Sequence, residues 1–130
     1  MIVGIGVDIV DIDRVEDMIE RHGKRFIGKT FTDGEVAYCE GRKLPGSHYA
    51  GRFAAKEAVF KALGTGWREG IGWKEIEVVA DQHGKPRLRL TGMAAAKAND
   101  LGISDLLLTI SHCDCHAVAC VVAQAPDRRT

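Results

Sequence analysis

The stretch SHYAGRFAAKEAVFKALG, residues 47–64, is the longest helical pattern in the chain and limits what the remainder can be. Ser47 is a candidate N-cap and Gly64 a stop. Between them Ala54, Ala55, Ala58, Val59, Ala62 and Leu63 fall on one apolar stripe. A helix with such a stripe must bury it against a second layer. Strands around it supply that layer. Residues 2–12 alternate and are rich in β-formers; IEVVAD and PRLRLTG, joined by QHGK, read as a hairpin; LLLTISH and HAVACVVA flank the polar turn CDC.

Three further helices are legible. In DRVEDMIERHG, Asp13 can cap, Glu16 completes a capping-box spacing and Gly23 can end the helix. Thr32 and Glu35 repeat that spacing in TDGEVAYCEG, which ends near Gly41, and Pro45 then holds Leu44 extended. TGMAAAKANDLG is an alanine-rich helix. The order β-α-α-α-β-β-α-β-β predicts an α+β fold, an antiparallel sheet packed with helices.

With 130 residues the chain suits one domain, residues 1–124, followed by a polar tail, 125–130, expected to be flexible. Its 18 Lys and Arg balance 18 Asp and Glu, which argues against a broad nucleic-acid-binding surface but not against a local basic patch. No basic leader precedes the first apolar run, and no run approaches the roughly 18 residues of a membrane span. These features predict a cytoplasmic protein that binds neither nucleic acid nor membrane, with Cys39, Cys113, Cys115 and Cys120 reduced.

Chemistry enters with GIGVDIV, residues 4–10. Period-two geometry places Gly4, Gly6, Asp8 and Val10 on one face of the first strand. Two glycines let a backbone or a ligand come close there. A carboxylate in so apolar a strand needs a cation, hydrogen bonds or a raised pKa. The ordinary alternative is a strand-end aspartate that caps a turn. A dinucleotide fingerprint is excluded by context, because the third glycine position is Ile9 and the glycines lie within the strand.

On the long helix Phe53, Glu57, Lys61 and Gly64 line one flank of the apolar stripe. Glu57 and Lys61 could be a surface ion pair worth a few tenths of a kcal/mol. Their company, Arg52 upstream and the GTG of residues 64–66 downstream, suits anionic oxygens approached by bare backbone amides. In TISHCDCHAVA the cluster His112, Cys113, Cys115, His116 invites a zinc reading, but alternate strand residues face apart and the spacing is too close for a closed site. His112 is better placed as a phosphate donor or an acid/base group. Arg14, Met18, Arg21 and Arg25, at i, i+4, i+7 and i+11, make one cationic face with an apolar spot; the ordinary alternative is a solvated helix face.

Taken together, GIGVDIVDIDRV, FAAKEAVFKALGTG and ISH followed by AVA resemble the holo-acyl-carrier-protein synthases of the 4′-phosphopantetheinyl transferase superfamily, over nearly the whole chain and in the family's order. CDCH, between the third motif's His112 and Ala117, departs from the family, whose members carry varied polar residues there. The resemblance implies that fold and a Mg²⁺-dependent transfer, in fatty acid biosynthesis, of the phosphopantetheine arm of coenzyme A to a serine of apo acyl carrier protein, releasing 3′,5′-ADP. It implies that Asp8 and Glu57 are the metal carboxylates, that Asp8, Glu57 and Lys61 are catalytic, and that Lys61 meets the coenzyme A phosphates. Gly64, Thr65 and Gly66 would line the cofactor groove, Arg52 and His112 would contact the nucleotide phosphates, and Lys85 and Pro86 would lie near the adenine. Arg14, Met18, Arg21 and Arg25 would dock the acidic carrier protein. A homotrimer with sites shared between subunits is implied as well. Two other classes compete: a non-catalytic trimeric nucleotide- or coenzyme-A-binding module, and a zinc-dependent regulator using His112 to His116.

Overall fold

A computed structural model of the protein describes residues 1–65 and 70–127. Strand β1 (Ile2–Asp11) leads into α1 (Ile12–Thr30), α2 (Asp33–Glu40) and α3 (Pro45–Leu63). A single 3₁₀ turn, Trp73–Glu75, precedes β2 (Ile76–Ala80) and β3 (Pro86–Leu90). Helix α4 (Gly92–Asp100) and strands β4 (Asp105–His112) and β5 (His116–Gln124) complete the order read from the sequence.

The strands do not make one sheet. β1, β5 and β4 form a three-stranded antiparallel sheet with β5 in the middle, and β2 and β3 pair separately as a hairpin. Pairing between distant strands leaves no mark on local periodicity, so the single sheet expected from the pattern divides in two. Helix α3 lies across β1 and β5. Its stripe is buried as expected, with Ala54, Ala55, Ala58 and Val59 fully enclosed against Leu108, Ala119, Val121 and Ile76. The helix is deeper than a stripe requires, since Arg52 and Lys56 on its other flank are buried too.

Gly4 and Gly6 explain how α3 comes so close. A Cβ built on Gly6 would stand 2.0 Å from the Ala58 carbonyl oxygen, and one on Gly4 would stand 2.3 Å from that of Ala62. The two glycines therefore seat the helix backbone directly on β1, and Asp8, next on the same face, emerges just beyond the contact.

The opposite face of the sheet stays open. Ile5 and Ile9 are 67% and 65% exposed, and they pair across the sheet with Val122 and Val118 of β5. Val3, Val7 and Leu107 add to this apolar surface.

Helix starts differ from the sequence reading. Asp11, not Asp13, caps α1 by accepting from the Arg14 amide, which lets the helix follow β1 without a loop. Pro45, not Ser47, opens α3, because a proline at the first helical position has a suitable φ and needs no amide partner. Gly23 interrupts α1 rather than ending it; at φ 47° and ψ −125° it kinks the helix, which resumes to Thr30. Thr32 and Glu35 do form the expected capping box on α2, a device worth about 1 kcal/mol.

Candidate active site

Three of the predicted catalytic residues meet at the end of the α3–β1 contact. The Lys61 ammonium donates to a carboxylate oxygen of Asp8 at 3.0 Å and to the Val7 carbonyl at 2.9 Å. Asp8 thus has the cation its setting demands, and Lys61 pairs with Asp8 rather than with its helix neighbour Glu57. Glu57 sits half-buried one turn before Lys61. Burial pushes its pKa up, the charge of Asp8 raises it further, and Lys61 draws it partly back. Two carboxylates therefore share one lysine, and the second negative charge is only partly compensated.

Residues that could hold a metal here are Asp8 and Glu57. Among the described residues no group of three or more His, Cys, Asp or Glu side chains is placed for one. An oxygen pair of this kind fits Mg²⁺, which takes one or two carboxylates and completes its shell with substrate phosphates and water. It does not fit a closed zinc site.

Beside Glu57 a groove of about 310 Å³ runs between β1, α1 and α3, lined by Ile9, Arg14, Val15, Met18 and Phe53. Arg14 and Met18 of the predicted docking face thus open onto the same space as the Glu57 carboxylate. Arg21 lies exposed further along α1, with its guanidinium 3.3 Å from Asp17 one turn back. Arg25 lies beyond the Gly23 kink, in the second part of α1. The Gly23 kink interrupts the regular 3.6-residue phase between Arg21 and Arg25.

A second cluster gathers around Arg52. Its guanidinium lies 3.8 Å from the centroid of the Tyr38 ring, and that of Arg42 lies 4.1 Å from the same ring. His48 meets Tyr38 edge-on at 5.8 Å and His112 at 5.9 Å. Burial lowers the His48 pKa, and Arg52, His112 and Arg42 lower it further. Arg52 is 5% exposed, and its Nε has no hydrogen-bond partner among the described residues. A buried guanidinium with an unpartnered Nε, close to a second arginine and two histidines, is suited to an anion. Arg52 and His112 were expected here; Tyr38, Arg42 and His48 were not. His48 stands one turn before Arg52, an i, i+4 spacing that could have revealed it.

Gly64 ends α3 in the left-handed conformation at φ 70°, and the hydroxyl of the next residue, Thr65, is buried with no hydrogen-bond partner among the described residues. Gly66 lies outside the described residues. Lys85 and Pro86 close the β2–β3 hairpin, where the Asp81 carboxylate accepts from the Lys85 and His83 amides. In the β4–β5 turn Cys113 and Cys115 point into solvent. The amides of Cys115 and His116 hold the Cys113 thiol below its ordinary pKa.

Comparison with known proteins follows the same lines. The profile of the 4′-phosphopantetheinyl transferase superfamily matches residues 4–120. The chain is 47% identical over 126 residues to the holo-[acyl-carrier-protein] synthase of Geobacter sulfurreducens, covering 97% of this chain and 100% of that one. Among solved structures it is similar to the enzyme of that name from Neisseria meningitidis, at TM-score 0.85 and 37% identity over 95% of this chain and 99% of the other. It is similar also to that from Helicobacter pylori in complex with coenzyme A, at TM-score 0.82 and 31% identity over 92% and 99%.

Proposed function

The chain belongs to the 4′-phosphopantetheinyl transferase superfamily, among the holo-[acyl-carrier-protein] synthases, and on that footing we propose how its residues carry a Mg²⁺-dependent transfer that serves fatty acid biosynthesis. The serine hydroxyl of the apo carrier attacks the β-phosphorus of coenzyme A. A new P–O bond forms, the pyrophosphate bond breaks, and 3′,5′-ADP leaves. The observation that carries this reading is the convergence of Asp8 and Glu57, far apart along the chain, around the Lys61 ammonium.

Asp8 and Glu57 would hold Mg²⁺, which, when bound, neutralises charge that builds on the transferring phosphates. Glu57, or a water hydrogen-bonded to it, takes the serine proton. Lys61 reaches the departing phosphate, for which its exposed, flexible stem is suited. Arg52 and His112, with Arg42 and His48 beside them, take the remaining nucleotide phosphates. Gly64 to Gly66 and the pair Lys85 and Pro86 border the nucleotide in this reading. The carrier, an acidic protein, docks on Arg14 and Met18, which line the groove beside Glu57, and on Arg21 further along the same helix.

The open face of the three-stranded sheet supports a homotrimer. An apolar surface of Val3, Ile5, Val7, Ile9 and Leu107 on a protein this small calls for a covering copy. Sedimentation at micromolar concentration should give three times the chain mass, and Ile5→Asp should shift it to monomer.

The decisive test is incubation with apo carrier, coenzyme A and Mg²⁺, followed by mass spectrometry of the carrier. One phosphopantetheinyl group on one serine is expected. An unmodified carrier with a folded enzyme would contradict the assignment.

A further inference from the structure

Lys56 immediately precedes Glu57, yet it points the other way, into the interior. Both it and its partner Glu35 have side chains 0% exposed, with 2.8 Å between ammonium and carboxylate. The pair is fully satisfied. Lys56 donates to Glu35, to the Trp73 carbonyl at 3.1 Å and, in a closer contact, to the Ile76 carbonyl. Glu35 accepts in addition from the Thr32 amide at 2.9 Å and the Val78 amide at 2.8 Å. One buried point therefore binds α3 to the start of α2, to the 3₁₀ turn and to β2.

The consequences reach the groove. The Trp73 carbonyl is held by Lys56, while the Trp73 ring stacks on Phe53 at 5.2 Å and 20°, and Phe53 lines the groove beside Glu57. On one side the α3 backbone rests directly on Gly4 and Gly6 of β1, with no side chain between them. A smooth contact of that kind sets separation well and rotation poorly. The Lys56–Glu35 anchor stands about 100° around the helix from Glu57.

Buried ion pairs are poor stabilisers: replacing both partners by apolar groups is often neutral or better, whereas removing one partner leaves a buried charge uncompensated. Stability alone does not account for an ammonium at this depth. We propose that Lys56 and Glu35 are positioning residues, which fix the rotation of α3 so that the Glu57 carboxylate faces Asp8 and Phe53 faces the groove. The inference rests on the reading of Asp8 and Glu57 as the Mg²⁺ carboxylates.

The test replaces both charges at once, in E35Q/K56M. Glutamine retains an acceptor for the amides of Thr32 or Val78, and methionine fills the space of the lysine stem. Two quantities are measured well below the unfolding midpoint: Mg²⁺ binding by calorimetry to protein saturated with coenzyme A, without carrier, and steady-state transfer. The expected result is a Mg²⁺ dissociation constant raised about tenfold and a kcat lowered at least tenfold, with the KM for carrier within twofold of the parent. A double variant that melts earlier but keeps the parent's Mg²⁺ affinity and kcat overturns the proposal, since that is the signature of a purely structural pair. Should E35Q/K56M not fold, Glu35→Asp decides the matter. It keeps the charge and re-forms the pair only if α3 shifts, so the same two quantities must move in the same direction; unchanged values refute positioning. A parent that binds no Mg²⁺ contradicts the metal assignment instead, and the kcat comparison then still decides the role of the pair.

Discussion

Gly6→Ala adds one methyl group at the point where α3 sits on β1. The new carbon would lie 2.0 Å from the Ala58 carbonyl oxygen, 2.8 Å from the Ala62 nitrogen and 2.9 Å from the Ala58 carbonyl carbon. All three are backbone atoms of a helix whose other side is packed, so no side chain can swing away. Overpacking of this kind costs typically 1–3 kcal/mol, and the rigid neighbours put Gly6→Ala at the upper end, about 3 kcal/mol. For a chain of this length about 4 °C is lost per kcal/mol, which gives a fall in Tm of about 12 °C at fixed protein concentration. Whatever strain is relieved by β1 moving off α3 carries Asp8 away from Glu57, so residual transfer at 15 °C, where the variant is folded, should fall at least tenfold. Gly28→Ala is the control. It lies in the second half of α1 with nothing within 4 Å of a built Cβ, and it should gain roughly 0.5–1 kcal/mol from helix propensity. A Gly6→Ala protein with parental Tm and turnover would refute the claim that the glycines set the helix–strand distance.

Other outcomes follow from the site. Glu57→Gln should abolish transfer yet raise stability at neutral pH, because a folded-state pKa above the ordinary 4.5 means that ionised Glu57 opposes folding. That advantage should grow as pH rises from 4.5 through the folded pKa and vanish below 4.5, as denaturant titrations across pH would reveal. Arg14→Ala or Arg21→Ala should raise the KM for carrier severalfold with the KM for coenzyme A unchanged, and the effect should shrink as salt is added; equal effects on both substrates would count against the docking face. In alkylation followed by peptide mass mapping, Cys113 should react first, its thiol being exposed and its pKa lowered by the facing amides. Cys39 should stay unmodified in folded protein, since burial pushes its pKa up to about 12.

Local pattern carried much of this structure. The alanine stripe of α3 and its half-exposed flank of Phe53, Glu57 and Lys61 follow from one 3.6-residue period, and the turn between His112 and His116 from a break in strand alternation. Helix boundaries were less legible because several residues near each start can cap: Asp11 and Asp13 compete before α1, and only the path out of β1 decides for Asp11. Gly23 signals a break, but not that the helix resumes beyond it to Thr30. Long-range features were hidden altogether. The division of the strands into two sheets, and the meeting of Tyr38 and Arg42 with His48 and His112, depend on how separate elements pack. Lys56 was hidden for another reason: a lysine beside a glutamate on a helix reads as surface, and only the enclosing α2 and β2 make it interior.

The central claim is that Asp8 and Glu57 act as one divalent-cation site completed by coenzyme A. Calorimetric titration of Mg²⁺ into the protein with coenzyme A bound tests it most directly. One Mg²⁺ per active site is expected for the parent, with binding lost in both Asp8→Ala and Glu57→Ala while the circular dichroism of each matches the parent. Parental Mg²⁺ affinity in either folded variant would contradict it.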